Sequence, residues 1–254
     1  MGGTDTTIEL IDVRLDHPRG GTPLVAGANL AIARGEVVMI VGAAGVGTSR
    51  LVAAALGEVP PAGGRIDVFG RDVGKLRRSS LRLLRRRIGI VPQELCLLEE
   101  RDVQLNIVLP LEIDGIPRSI SITRAADVMQ KLGLEDIADV PVSELPPSIK
   151  QRVAVARALV REPELVLADH PTSMQDAEGA ELICGALAAA SQTAAVLIFG
   201  REPSLLAIAE HRAWRRMALA DGQLISLDHV EIEIPESIPN LVPFPISART
   251  AGVA

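Results

Sequence analysis

The chain has 254 residues, 48% of them hydrophobic, enough to fill the core of one large or two modest folded domains. Its 26 Lys and Arg against 32 Asp and Glu leave a formal charge of −6, so the basic field of a nucleic-acid binder is missing and no nucleic-acid partner is expected. Aromatic residues are 2%, which argues against stacking of bases or sugars, and two cysteines without a Cys-x-x-Cys pair argue against a disulfide scaffold or a zinc site.

The N-terminal MGGTDTTIELID has no basic segment leading into an apolar one, so no secretory signal is expected and a reducing cytoplasm fits. Ile8 to Leu15 alternates as IELIDVRL and Ala28 to Ile32 reads as a second strand, which predicts an antiparallel flap ahead of the core. Val37 to Val41, Leu165 to Ala168 and Ala195 to Phe199 are short aliphatic runs that stop at polar or Gly positions, as strands buried on both faces do. Helical patterns adjoin them at Ser49 to Leu56, Gln151 to Val160 and Glu178 to Ala190, and this alternation predicts a parallel sheet covered by helices. The longest apolar run, Val37 to Val46, is half the ~20 residues of a spanning helix, so no transmembrane helix is expected. Lys75, Arg77, Arg78, Arg82, Arg85, Arg86 and Arg87 form a basic run without an acid. It reads first as a solvated helix face, and otherwise as a contact for anionic lipid or a partner's acidic loop. Between Leu95 and Leu145 the pattern is helical (Val103 to Val108, Arg124 to Leu132) with loop signals at Asp114-Gly115 and Ile116-Pro117, which predicts an inserted helical lobe of about residues 95–165. Cys96 and Cys184 read as small apolar fillers. Four prolines punctuate residues 235–254, which read as a Pro-rich, mostly disordered tail after a folded unit of residues 5–234.

After the strand VVMIV comes Gly42-Ala43-Ala44-Gly45-Val46-Gly47-Thr48-Ser49, a Gly-rich turn between strand and helix. Three glycines let the backbone curl so that several N–H groups and the positive end of the next helix meet one anion, a phosphate cradle. The phosphate-loop pattern places Lys where Thr48 stands. Its loss removes a charge-assisted contact of ~1.5 to 3 kcal/mol, and Arg50 is a nearby replacement charge. The glycines taken alone also fit a turn that holds nothing. Asp169 ends the strand LVLA, where a carboxylate can hold magnesium together with the hydroxyl of Ser49, and Gln93, after the strand Ile88 to Val91, adds a third polar group at that sheet edge.

These segments resemble the nucleotide-binding subunit of an ABC transporter over about residues 8–228. LLRRRIGIVPQ (83–93) is similar to the run into that family's Q-loop, and QRVAVARALVREPELVLADHPT (151–172) is similar to its signature helix, Walker B strand and D-loop. Within the family, LLEERDVQLNIVLPLEIDG and KLGLEDIAD are most similar to the FtsE-type cell-division group and the related lipoprotein-release and macrolide-export subunits. The resemblance implies a P-loop NTPase core of the α/β class, a parallel sheet with flanking helices, an N-terminal antiparallel β subdomain and an inserted helical lobe. It implies ATP and Mg2+ as cofactors. It also implies a dimer, with itself or with another ATPase subunit, on the cytoplasmic side of a permease-like, FtsX-like membrane protein.

By the same resemblance the catalytic slots are altered. His170 stands where the family has the Glu that polarises the attacking water, and Arg201 stands at its switch histidine. The signature Leu-Ser-Gly-Gly is here Leu145, Pro146, Pro147, Ser148; proline has no N–H to offer a phosphate, yet it is well placed in a helix's first turn. His17 takes the place of the adenine-stacking aromatic, while Asp176 of the D-loop remains. Four changes facing one phosphate imply weak nucleotide binding and a hydrolysis-deficient structural or regulatory subunit. The alternative is an active ATPase that energises export or cell-division-linked remodelling.

Overall fold

A computed structural model describes residues 6–43, 45 and 47–227, and so leaves Ala44, Val46, the alternating stretch Glu231 to Ile234 and residues 235–254 outside it. In chain order the elements are β1 (Thr6–Leu15), β2 (Val25–Ala33), β3 (Val37–Gly42), α1 (Thr48–Ala55), β4 (Gly63–Val68), β5 (Arg71–Asp72), α2 (Arg78–Arg85) and β6 (Ile88–Val91). There follow α3 (Val103–Ile113), α4 (Arg118–Lys131), α5 (Pro147–Leu159), β7 (Leu165–Asp169), α6 (Ala177–Ser191), β8 (Ala195–Phe199), α7 (Pro203–His211), β9 (Arg215–Ala220) and β10 (Gln223–Ser226).

A four-stranded antiparallel sheet has the order β2-β1-β4-β5, and a six-stranded sheet the order β10-β9-β3-β8-β7-β6, parallel except for the β9–β10 hairpin. The fold is the α/β P-loop NTPase architecture, with the antiparallel flap where the alternating N-terminal sequence places it.

The aliphatic runs work as two-sided strands. In β3, Val37 and Met39 join the core cluster that holds α3 to α7, while Val38 and Ile40 join the one that holds α1 and the antiparallel sheet. The same alternation runs along β7 (Val166 and Ala168 against Leu165 and Leu167) and β8 (Val196 and Ile198 against Ala195, Leu197 and Phe199). Each buried aliphatic side chain of Val or Leu size is worth roughly 1.5–3 kcal/mol, so three layers form around one sheet.

Local chemistry sets the helix ends. Asp102 caps α3 by accepting from Leu105 N–H at 2.6 Å. Buried Asn106 then ties the preceding loop, donating to the carbonyls of Leu98, Arg101 and Asp102 and accepting from Leu98 N–H at 2.8 Å. The helix continues to Ile113 through Pro110, well past Val108, and the Pro110 carbonyl accepts from Arg161 at 2.8 Å.

Two expectations change. The basic run is partly consumed in fastening the sheet edge: Arg87 grips Glu164 with two 2.6 Å bonds and lies 3.8 Å over the Phe69 ring, Arg86 pairs with Asp114 at 3.1 Å, and Arg85 donates to the Leu56 carbonyl. Cys96 is exposed rather than a core filler, because it turns the loop after β6 with φ 51° and gives its carbonyl to Arg157. Cys184 is the filler: burial pushes its thiol up to about 12.

Candidate functional site

The site lies at the C-terminal edge of the parallel sheet, where β3, β6, β7 and β8 deliver their loops side by side. Gly47 ends the glycine turn with φ 112°, a conformation costly for any residue with a Cβ; a Cβ here would also lie 2.8 Å from that of Leu24. Past it, α1 begins at Thr48 with no acidic residue in its first turn, so its N–H groups and dipole face an anion without competition. Gly42, Ala43 and Gly45 lie in the same turn; Ala44 and Val46 fall outside the described residues.

Ser49 Oγ donates to Asp169 Oδ2 at 2.6 Å, a bond that closes the turn after β3 onto the end of β7. Asp169 is 4% exposed, and its other oxygen, Oδ1, is buried with no hydrogen-bond partner among the described residues. A buried carboxylate oxygen left this way is costly unless a cation satisfies it, so the donor set fits a hard cation such as Mg2+. Gln93 shares the edge two residues past β6, but its side chain is exposed and no described bond links it to Ser49 or Asp169. Arg50 is partly buried, with Nε unpartnered among the described residues.

His170 follows Asp169 in the left-handed region, φ 52°. Its N–H donates to the Phe199 carbonyl at 2.7 Å, and its carbonyl accepts from Gln151 Nε2 at 3.0 Å. Its ring nitrogen Nδ1 lies 2.7 Å from Glu202 Oε1, whereas Arg201, at the switch-histidine position by the family resemblance, supplies only its backbone N–H, which donates to Glu202 Oε2 at 3.0 Å. The bond to Glu202 holds the His170 imidazole above its usual range, against partial burial. Burial pushes Glu202 up, but the His170 bond and the local backbone N–H groups outweigh it and hold the carboxyl below its usual range. Glu202 escaped the sequence reading, although its place beside Arg201 just before α7 was a signal.

A pH dependence follows from this pair. A raised His pKa adds stability that is complete below the unfolded value near 6.5 and is lost as pH rises through the folded one; the lowered Glu202 adds stability that is lost as pH falls through its folded value, below 4.5. The melting difference between wild type and Glu202→Gln should therefore be largest near pH 5.5 and shrink towards pH 9 in thermal scans. A difference that grows with pH counts against the pair.

The signature residues keep a structural task. Leu145 leads into Pro146 as N-cap and Pro147 as first residue of α5, and the Ser148 carbonyl accepts from Gln175 at 2.8 Å. Gln151 on the same helix is 1% exposed and joins it to the loop after β7, donating to His170 O and Ser173 Oγ and accepting from Met174 N–H and Gln175 Nε2. Asp176 caps α6 by accepting from Gly179 N–H at 2.8 Å. No described bond joins Leu145, Pro146, Pro147 or Ser148 to the glycine turn. His17 Nδ1 accepts from Arg19 N–H at 3.1 Å, so the ring caps its own turn, and no described hydrogen bond joins it to the glycine turn.

The ABC transporter family matches residues 25–173, from β2 through the loop after β7. The chain belongs to the ABC transporter family. Its relatives include the methionine import ATP-binding proteins MetN of Brucella abortus (strain 2308), 39% identical over 180 residues, and of Cereibacter sphaeroides (strain ATCC 17023), 41% over 172. These matches cover 71% and 67% of this chain but 48% and 49% of the relatives, so the chain spans about half the length of the curated relatives it matches. Among solved structures, the ATP-binding cassette MJ0796 in a dimeric post-hydrolysis state bound to ADP and Pi superposes with a TM-score of 0.76 at 26% identity, covering 85% of this chain and 96% of that one. CbiO1 of Clostridium perfringens, part of the transporter complex cbiONQ, gives 0.75 at 26% identity, covering 87% of each. The curated relatives named here carry the name of methionine import proteins. The FtsE-type kinship, with its FtsX-like partner and cell-division role, finds no support in them; the segments quoted for it fold as α3 with the loop before it and as the end of α4 with the turn after it.

Proposed function

We propose that the chain is the ATP-binding and ATP-hydrolysing component of an ABC import complex, working as a dimer on the cytoplasmic side of a membrane permease. The bond from Ser49 to Asp169 carries this reading, because it assembles a hydroxyl, a buried carboxylate and a helix N-terminus at one sheet edge. The cradle amides and the start of α1 would bind the triphosphate. Ser49 and Asp169 would hold Mg2+, which when bound neutralises charge between the terminal phosphates. Kinship with methionine import proteins supports an active ATPase over a hydrolysis-deficient one, and import over export, and makes methionine the first solute to test.

The partner's docking face in this reading is the groove between α2, β6, α3 and α5, a cavity of about 540 Å3 lined by Arg82, Arg85, Arg86, Arg157 and Arg161. Asp114 is the one carboxylate paired with any of them among the described residues. The excess positive charge fits an acidic segment of the permease. Among the described residues no helix is long and apolar enough to cross a membrane.

Calorimetry with ATP and Mg2+ together with phosphate release tests the reading. Turnover of about 1 per second or faster lies in the ordinary enzyme range and supports it. Ser49→Ala should weaken magnesium-dependent binding about tenfold, the loss of one charge-assisted contact. Binding without turnover would favour the hydrolysis-deficient reading, to which Thr48, Pro146 and Pro147 point.

A further inference from the structure

We infer that Glu202 is a positioning residue for hydrolysis: it holds the His170 ring by Nδ1 and so presents Nε2 as the proton acceptor for the attacking water. This rests on the ATP-hydrolysing reading above. The observations are geometric. His170 stands one residue beyond the Asp169–Ser49 clasp, its backbone is pinned on both sides by Phe199 and Gln151, and its ring is held at 2.7 Å by a carboxylate. No other described residue hydrogen-bonds the ring.

When Nδ1–H donates to Glu202, the neutral ring has its lone pair on Nε2, so the carboxylate fixes the tautomer as well as the orientation. The carboxylate is itself prepared. Glu202 is the N-cap residue of α7, its Oε2 accepts from Arg201 N–H, and its side chain is 18% exposed. Space for it depends on Gly200, where a Cβ would lie 2.7 Å from Glu202 Oε2 and 2.4 Å from Leu205 Cδ2. The two groups that the family resemblance places as a carboxylate after Asp169 and a histidine after β8 thus occur here in exchanged positions, one residue later on the β8 side. In the step itself the water oxygen bonds to the terminal phosphorus, the bond from that phosphorus to the bridging oxygen breaks with ADP leaving, and the water's proton passes to Nε2.

The test compares full-length wild type with Glu202→Ala, Glu202→Gln, His170→Glu and the exchange His170→Glu/Glu202→His. Steady-state hydrolysis and ATP affinity are measured alongside the NMR signal of the His170 Nδ1 proton in the nucleotide-free protein. Glu202→Ala should lower kcat about tenfold or more with KM within about twofold. Glu202→Gln, which keeps an acceptor for Nδ1–H, should fall between it and wild type. The exchange should recover about tenfold over His170→Glu. The downfield Nδ1 proton should be present in wild type and absent in Glu202→Ala, whatever the activity. Turnover that survives Glu202→Ala, or a wild-type ring without that proton signal, overturns the role of Glu202 and leaves the ATPase reading standing. A wild type that binds ATP without turning it over, or does not bind it, overturns both.

Discussion

Thr48→Lys should tighten ATP binding by roughly ten- to a hundredfold, the effect of restoring one charge-assisted contact of ~1.5 to 3 kcal/mol. Thr48 is the first residue of α1, directly after the left-handed Gly47, so a lysine there starts from the backbone cradle itself. The helix has no acidic residue in its first turn to divert the new charge, and the Asp169 carboxylate at the same sheet edge is occupied on one side by Ser49. Turnover should gain less than affinity, since the lysine returns charge to the phosphates and leaves the water's proton acceptor unchanged. Titration calorimetry with ATP and Mg2+ on wild type and variant decides it. Equal affinities would mean that another cation already supplies the charge, and Arg50, with its buried unpartnered Nε, would be the group to mutate next.

Gln151→Ala should cost about 3 kcal/mol of stability, measured by urea denaturation at constant m. The side chain is 1% exposed and makes four hydrogen bonds of 3.0–3.1 Å, two through each end of the amide. Removing it leaves the Met174 N–H without its bond and the His170 carbonyl with only the Ser173 N–H at 3.2 Å, and an unsatisfied buried group costs ~1–3 kcal/mol, partly offset if water enters the gap. The same bonds couple α5, which begins at Pro146 and Pro147, to the loop that carries His170, so phosphate release should fall together with stability. A variant as stable as wild type would show that Gln175, which also reaches α5 through the Ser148 carbonyl, holds the junction alone.

Hydrophobic period was enough to place the central strands of this protein, while β4, β5, β9 and β10 went unread. Val37 to Val41, Leu165 to Ala168 and Ala195 to Phe199 read as two-sided strands, and each proves to feed both core clusters. Turn chemistry was equally legible: the glycines after β3 and the proline pair at the head of α5 act through their own backbone, within a few residues of where they stand. Position along the chain also sufficed to single out Ser49 and Asp169, because a strand-ending carboxylate and a glycine-turn hydroxyl carry their motif locally. Partner choice was not legible. The Ser49–Asp169 and Gln151–His170 bonds, the grip of Arg87 on Glu164 and the preference of His170 for Glu202 over Arg201 join segments that meet only because parallel strands end side by side. Loop side chains follow no period, and which of two adjacent residues turns inward depends on space. Gly200 leaves that space for Glu202, while Arg201 stays exposed and gives only its backbone N–H. Tertiary packing therefore decided the chemistry of the sheet edge, and local sequence decided that such an edge would exist.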